Sequence, residues 1–252
     1  MYTKIKNSLE IENMRISGKI LAHVLNFLST RISEGMSTKD IAELAKSELK
    51  PTGGIPTFLG YYGFPDIICI SVNDEVVHGI PRRNRIIKQG DIVSLDFGVT
   101  YNGMITDAAI SIIVGTPIDK KHVELLVQAE RALMKGISNI RDGVKVGDIS
   151  NSIQNILDNG KYGIVRDLVG HGVGHALHEE PNIPNYGNKN NGPLLSTGMT
   201  IAIEPMATLG GDDVIQDYDG WTMRTADGSL AAHFEHTVLV TESGYEILTK
   251  TT

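Results

Sequence analysis

Apolar positions along the chain follow two different periods. Over residues 8 to about 30, Ile11, Met14, Leu21, Val24, Leu25 and Leu28 recur at helical spacing on an otherwise polar surface, which predicts an amphipathic helix. Ser37 with Asp40 predicts the start of a second helix, and Pro51 stops it after Lys50. A second helix pair is predicted over 119 to about 140 and over 148–159, the latter closed by Gly160. Dense β-formers predict strands over 67–77, 91–99, 104–114, 200–206 and 231–241.

The two helix pairs repeat one another. Ile32, Gly35, Asp40 and Ile41 match Ile140, Gly143, Asp148 and Ile149, each at an offset of 108. Gly35 and Gly143 are expected to close the long helices before them in a left-handed conformation. Asp40 and Asp148 are expected in the first turn of the next helix, where a carboxylate suits the dipole. The pattern implies two similar halves about a pseudo-twofold axis, with a cleft between them. No low-complexity linker interrupts the 252 residues, so the expectation is a single α+β domain over 1–252, with halves of about 8–115 and 116–250.

Composition narrows the class. With 41% hydrophobic and 21% charged residues the chain reads as globular, neither disordered nor fibrous. A formal net charge of -7 argues against a protein that mainly grips nucleic-acid phosphates, and Arg82-Arg83-Asn84-Arg85 reads as a solvated loop. The single cysteine, Cys69, fits a reducing compartment. No signal-like segment and no run of about 20 apolar residues is visible, so a cytoplasmic location and no membrane are expected.

Four acids sit in apolar strand patterns. Asp96, in Ile-Val-Ser-Leu-Asp-Phe-Gly, and Asp107 flank the turn Thr100-Tyr101-Asn102-Gly103. A turn centred between Tyr101 and Asn102 places them directly opposite, and a type I′ turn at Asn102-Gly103 makes them diagonal neighbours. Both registers leave them on one face. Facing carboxylates in a core repel unless a cation or a proton separates them. The alternative is an ion pair with an arginine, or a place at a strand end. Glu204, after Thr-Ile-Ala-Ile, and Glu235, before His236-Thr237-Val238, repeat the anomaly. A cluster of divalent cations accounts for all four.

The histidines are concentrated in Gly170-His171-Gly172-Val173-Gly174-His175-Ala176-Leu177-His178. Three glycines in five positions oppose a regular helical zinc site, and the run lacks the final glycine of a dinucleotide fingerprint. Glycines that let backbone approach a metal or substrate closely are the better account. His175 is either part of that chemistry or a satisfied structural histidine. His78 stands at a predicted strand end beside Gly79, in reach of a cleft.

These segments resemble the type I methionine aminopeptidases of the short bacterial form. The resemblance rests on Leu59-Gly60-Tyr61, Cys69-Ile70-Ser71, Asn73, His78-Gly79-Ile80-Pro81, Asp96, Asp107, Gly170-His171-Gly172, His178-Glu179-Glu180-Pro181, Ile203-Glu204-Pro205-Met206, Gly220-Trp221 and Glu235-His236-Thr237, in order through nearly the whole chain. It implies the pita-bread fold, α+β with two pseudosymmetric halves, a central curved antiparallel sheet and outer helices. It also implies removal of N-terminal methionine from nascent polypeptides and peptides, with a small second residue preferred. Two divalent metal ions, Co, Mn, Fe or Zn, are implied, with Asp96 on one, His171 and Glu204 on the other, and Asp107 and Glu235 bridging. Glu204 is implied as the proton carrier, His178 as the group that stabilises the tetrahedral intermediate, and His78 as a hydrogen-bonding group near the scissile nitrogen. A monomer acting near the ribosome, with no specific nucleic acid, completes the expectation.

By position the methionine pocket would include Tyr61, Phe64, Cys69, Leu177 and Trp221, whose aromatic and soft walls suit a thioether. Plain core packing is the alternative for these residues. Leu177 departs from the family, which usually has an aromatic residue just before the second catalytic histidine. The X-Pro aminopeptidases and prolidases share the fold and the five ligands but usually carry an extra N-terminal domain, for which this chain has no room. A non-catalytic binding protein of the same fold would typically have lost ligands that are all present here.

Overall fold

The computed structural model of the chain describes residues 5–250. Its helices begin at polar caps. Asn7 caps α1 (Ser8–Ser29): its side chain accepts the Glu10 amide, and Glu10 in turn accepts the Asn7 amide. Ser37 and Asp40 repeat the arrangement at α2 (Thr38–Leu49). Asp119 caps α3 (Lys120–Ile137), and Asp148 accepts the Lys145 amide at the start of α4 (Val146–Gly160).

Two expectations about helix ends need correction. Gly160 stays within α4, against the Tyr162 ring, and Lys161 adopts the left-handed cap at φ 59°. Gly35 (φ 89°) and Gly143 (φ 75°) are left-handed as expected, but they lie in the turns that enter α2 and α4. The helices before them have already ended at Thr30 and Ser138.

The largest sheet has nine strands. Its main path runs Ile55–Pro56, Ile92–Tyr101, Met104–Ile113, Glu235–Val240, Thr200–Ile203, Gly170–Gly172 and Glu179–Ile183, with every neighbour antiparallel. Cys69–Val72 and Tyr245–Ile247 attach beside it. Three predicted strands are broken. The run over 67–77 divides at Asn73-Asp74 into Cys69–Val72, in this sheet, and Glu75–Val77, which pairs with Met223–Thr225 in a separate three-stranded sheet. The run over 200–206 leaves the largest sheet at Glu204-Pro205 and continues as Met206–Thr208 in another three-stranded sheet, paired with Ala231–His233. Phe234 makes the same passage on the other strand, and its amide donates to the Pro205 carbonyl at 3.4 Å.

These strands are buried on both faces, and the residues that meet the helices recur with period two. Val93, Leu95, Phe97 and Val99 join Leu21, Leu25 and Ile41 of α1 and α2 in one core. Ile201, Ile203, Val238 and Val240 join Leu125, Leu133, Ile149 and Ile153 of α3 and α4 in the other. Asp96, Glu204 and Glu235 are therefore turned to the face away from the helices.

The offset of 108 recurs in the hydrogen bonding. Gly35 N–H donates to the Ile87 carbonyl at 2.9 Å, as Gly143 does to Leu195 at 2.9 Å. Ile87 donates to Met36 and Leu195 to Val144, both at 2.8 Å. The isolated bridges Ser37–Ile86 and Lys145–Leu194 keep the same spacing. So do Asp96 and Glu204. The two halves are pseudosymmetric down to single backbone bonds, and each supplies an acid to the same face.

Candidate metal centre and its pocket

Asn102 (φ 47°) and Gly103 (φ 78°) are both left-handed, the geometry of a type I′ turn, which decides the hairpin register. Asp96 pairs with Ala109 and Asp107 with Gly98, so the two acids are diagonal neighbours. Ala109 also pairs with Glu235 on its other side. The small alanine thus lies between Asp96 and Glu235, with Asp107 one step diagonal from both. Across the sheet, five adjacent strands carry Asp96, Asp107, Glu235, Glu204 and His171 in that order, Glu204 just past the end of its strand.

Asp107, His171 and Glu235 each place a ligand atom within 4.8 Å of the other two. Glu204 joins them through an oxygen 3.3 Å from His171 Nε2. Asp96, Asp107, His171 and Glu235 are buried and Glu204 is nearly so. Asp107 Oδ1 and Glu235 Oε1 have no hydrogen-bond partner, a costly state for buried carboxylate oxygens. Burial, and then the neighbouring acids, push Asp96, Glu204 and Glu235 well above the usual carboxylate range. Burial raises Asp107 to about 7 and lowers His171 to about 3. His171 Nδ1 lies 2.9 Å from the Gly172 carbonyl, which it meets as a donor, leaving Nε2 with a free lone pair. Four acids destabilised as anions beside a neutral imidazole form a donor set that fits divalent cations.

Next to this cluster lies a cavity of about 240 Å³. Phe64, Cys69, Leu177 and Trp221 all line it, with Phe64 and Trp221 edge to face at 5.2 Å. Tyr61 lies at the same cavity and its hydroxyl is 2.8 Å from His178 Nδ1. The His178 ring is in turn 4.4 Å from that of His171. His78 also lines the cavity, at the end of Glu75–Val77 in a left-handed conformation of φ 60°. Burial lowers it to about 4, with His178 a smaller cause.

The glycines flanking His171 have a packing role of their own. A Cβ on Gly170 would lie 2.4 Å from the Ala202 carbonyl oxygen, and one on Gly172 would lie 2.3 Å from that of Glu180. Both glycines allow a close approach to neighbouring strands. His175 is not at the cavity; its Nε2 is 2.9 Å from Glu10.

Sequence reasoning missed Phe58 and Met206 on the cavity wall, because apolar strand-flanking residues read as core. It also missed His233, which is buried with both ring nitrogens unpaired and Nε2 3.6 Å from Glu204. Its position two residues before Glu235 was the available signal.

The profile of metallopeptidase family M24 matches residues 12–242. A methionine aminopeptidase from Clostridium acetobutylicum is 44% identical over 245 residues, 97% of this chain and 98% of that protein. The chain belongs to the methionine aminopeptidases of family M24. Among solved structures, the methionine aminopeptidase of Thermotoga maritima superposes with a TM-score of 0.97 at 44% identity, covering 99% of this chain and 100% of that one. The prolidase of Pyrococcus furiosus gives a TM-score of 0.79 at 26% identity, and this chain spans only 66% of it. Methionine aminopeptidase relatives and prolidases thus share one pita-bread fold, and family membership with the acid–histidine cluster marks this chain as a divalent-metal hydrolase. No helix among the described residues is long and apolar enough to cross a membrane.

Proposed function

We propose that this chain removes the N-terminal methionine from nascent polypeptides and peptides, preferring a small second residue. One observation carries the reading: four acids and an imidazole on five adjacent strands adjoin an apolar cavity suited to one side chain. Asp96 would hold one cation, His171 with Glu204 a second, and Asp107 with Glu235 would bridge the two. Co, Mn, Fe and Zn all suit such donors. Cations held there lower the pKa of water and polarise a carbonyl oxygen.

The chain's own groups do the rest. Glu204 takes the proton of the attacking water and passes it to the leaving amine. In the tautomer in which Nδ1 accepts from the Tyr61 hydroxyl, His178 carries its proton on Nε2 and can donate it to the substrate carbonyl oxygen as charge develops there. His78 hydrogen-bonds near the scissile nitrogen. Tyr61, Phe64, Cys69, Leu177 and Trp221 enclose the thioether and exclude water.

The same proposal places the protein in the cytoplasm as a monomer, near the ribosome, as one domain over 1–252 with duplicated halves of about 8–115 and 116–250. Protein loaded with Mn or Co should release methionine from Met-Gly-Met-Met, and chelation or Asp107→Ala should abolish release. A rate indifferent to both would sink the mechanism. Faster cleavage of X-Pro peptides would move the chain to the prolidase branch.

A further inference from the structure

Among the described residues, Lys6 is an unexpected buried side chain. It precedes α1, yet its side chain is 0% exposed, a rare state for lysine without a partner. Its Nζ donates to Glu179 Oε2 at 2.7 Å. The other oxygen of Glu179 accepts the amides of His175 at 2.6 Å and Ala176 at 3.0 Å. One carboxylate therefore joins the segment before α1 to the backbone of the loop over 173–178. Gly174 leaves the space for this contact, since a Cβ there would lie 2.4 Å from Lys6 Cε. Glu10, in the first turn of α1, adds a second tie at 2.9 Å from His175 Nε2.

The loop held in this way ends in Leu177, on the cavity wall, and His178, which meets the Tyr61 hydroxyl. We propose that Lys6 is a positioning residue of the active site: through Glu179 it fixes the loop over 173–178, so that Leu177 and His178 keep their places at the cavity. It is not on the cavity wall, and its ion pair is with Glu179 and not with a candidate metal ligand. Its kinetic consequence rests on the aminopeptidase reading above; its effect on the loop does not.

The test uses the full chain loaded with Mn and carrying Lys6→Met, Glu179→Gln, or both. Glu179→Gln is nearly isosteric and keeps an acceptor for the two amides, so it serves if Lys6→Met does not fold. Amide hydrogen exchange over 173–178 should accelerate in each variant while the hairpin over 92–113 stays at the wild-type rate. With Met-Gly-Met-Met, kcat should fall about 10- to 100-fold, the scale of a displaced catalytic group. KM and bound cation per chain should stay within about twofold, which a general loss of structure would not allow. Since Lys6 acts through Glu179, the double variant should be no more than about twofold slower than the slower single one. Wild-type exchange over 173–178, wild-type kcat, or fully additive losses would each overturn the proposal. If the wild-type protein releases no methionine, the activity reading fails, and the exchange rates still decide the role of Lys6.

Discussion

Asp107 is pinned to Thr237 through its backbone: its amide donates to the threonine hydroxyl at 2.8 Å, and that hydroxyl donates to the Asp107 carbonyl at 2.7 Å. Direct pairing between the two strands covers only Glu235–Ala109 and His236–Ala108. One fully buried hydroxyl therefore takes over where the ladder stops and fixes the row in which Asp107 and Glu235 meet.

Thr237→Val should expose the importance of that hydroxyl. Valine keeps the shape but leaves the Asp107 N–H and C=O buried and unpaired, at a cost of about 1–3 kcal/mol for each unsatisfied group. Urea denaturation of the cation-free protein should register the loss, and titration with Mn should show weaker binding. Thr237→Ser should restore both. A valine variant as stable as the wild type would mean that the hydroxyl is not what holds the register.

Tyr61→Phe should separate rate from binding. The phenyl ring keeps the cavity wall, but His178 loses the hydroxyl that orients its ring through Nδ1. Loss of such an orienting partner costs about 10- to 100-fold. The decrease should fall on kcat, with KM for Met-Gly-Met-Met and bound cation unchanged. A change confined to KM would assign Tyr61 to the pocket alone.

The sequence and the structure agree best where the relevant periodicity is local. Asp96 and Asp107 can be put on one sheet face from residue parity alone, and the Ser37–Asp40 cap and the 108-residue offset are visible as spacing. The choice between two hairpin registers was not visible, because it depends on Asn102 and Gly103 both taking positive φ. Nor were the breaks at Glu204-Pro205 and Phe234: strand-forming residues flank both, so each run reads as continuous while the chain passes from one sheet to the other. Phe58 and Met206 look like core residues because a pocket wall and a core use the same side chains. Lys6 and Glu179 lie 173 positions apart, and nothing local to either residue indicates the other.

Removal of the cations should give a definite dependence on pH. In the cation-free protein, burial holds Asp107 near 7 and the other three acids well above the usual range, so the folded state keeps protons that the unfolded state releases. Stability then falls as pH rises. His171, His78 and His233, lowered by burial to about 3, 4 and 3, act in the opposite sense, but only below their unfolded value of 6.5. The window to examine therefore opens above about pH 6.5, where only the acids contribute. In chelator, the melting temperature should drop between about pH 6.5 and 8, and Mn should flatten that slope by displacing the protons. An equal slope with and without Mn would count against these four acids as the cation site.

Gly79→Ala should disable the enzyme while leaving its cations in place. Gly79 packs so closely on the Cys69–Val72 strand that a Cβ would lie 2.3 Å from the Ile70 carbonyl oxygen. That contact is backbone against backbone: the Ile70 amide donates to the Gly79 carbonyl at 2.8 Å, and the Gly79 amide donates to Ser71 Oγ at 3.1 Å. No flexible side chain can yield, so an added methyl must push the chain away from the strand and carry His78 with it. Overpacking of this kind costs about 1–3 kcal/mol. The five candidate ligands lie on other strands, so bound Mn per chain should match the wild type while methionine release falls by at least about tenfold. If the variant lost its cations together with its activity, His78 could not be separated from the metal centre. If it kept full activity, His78 would have no part in the reaction.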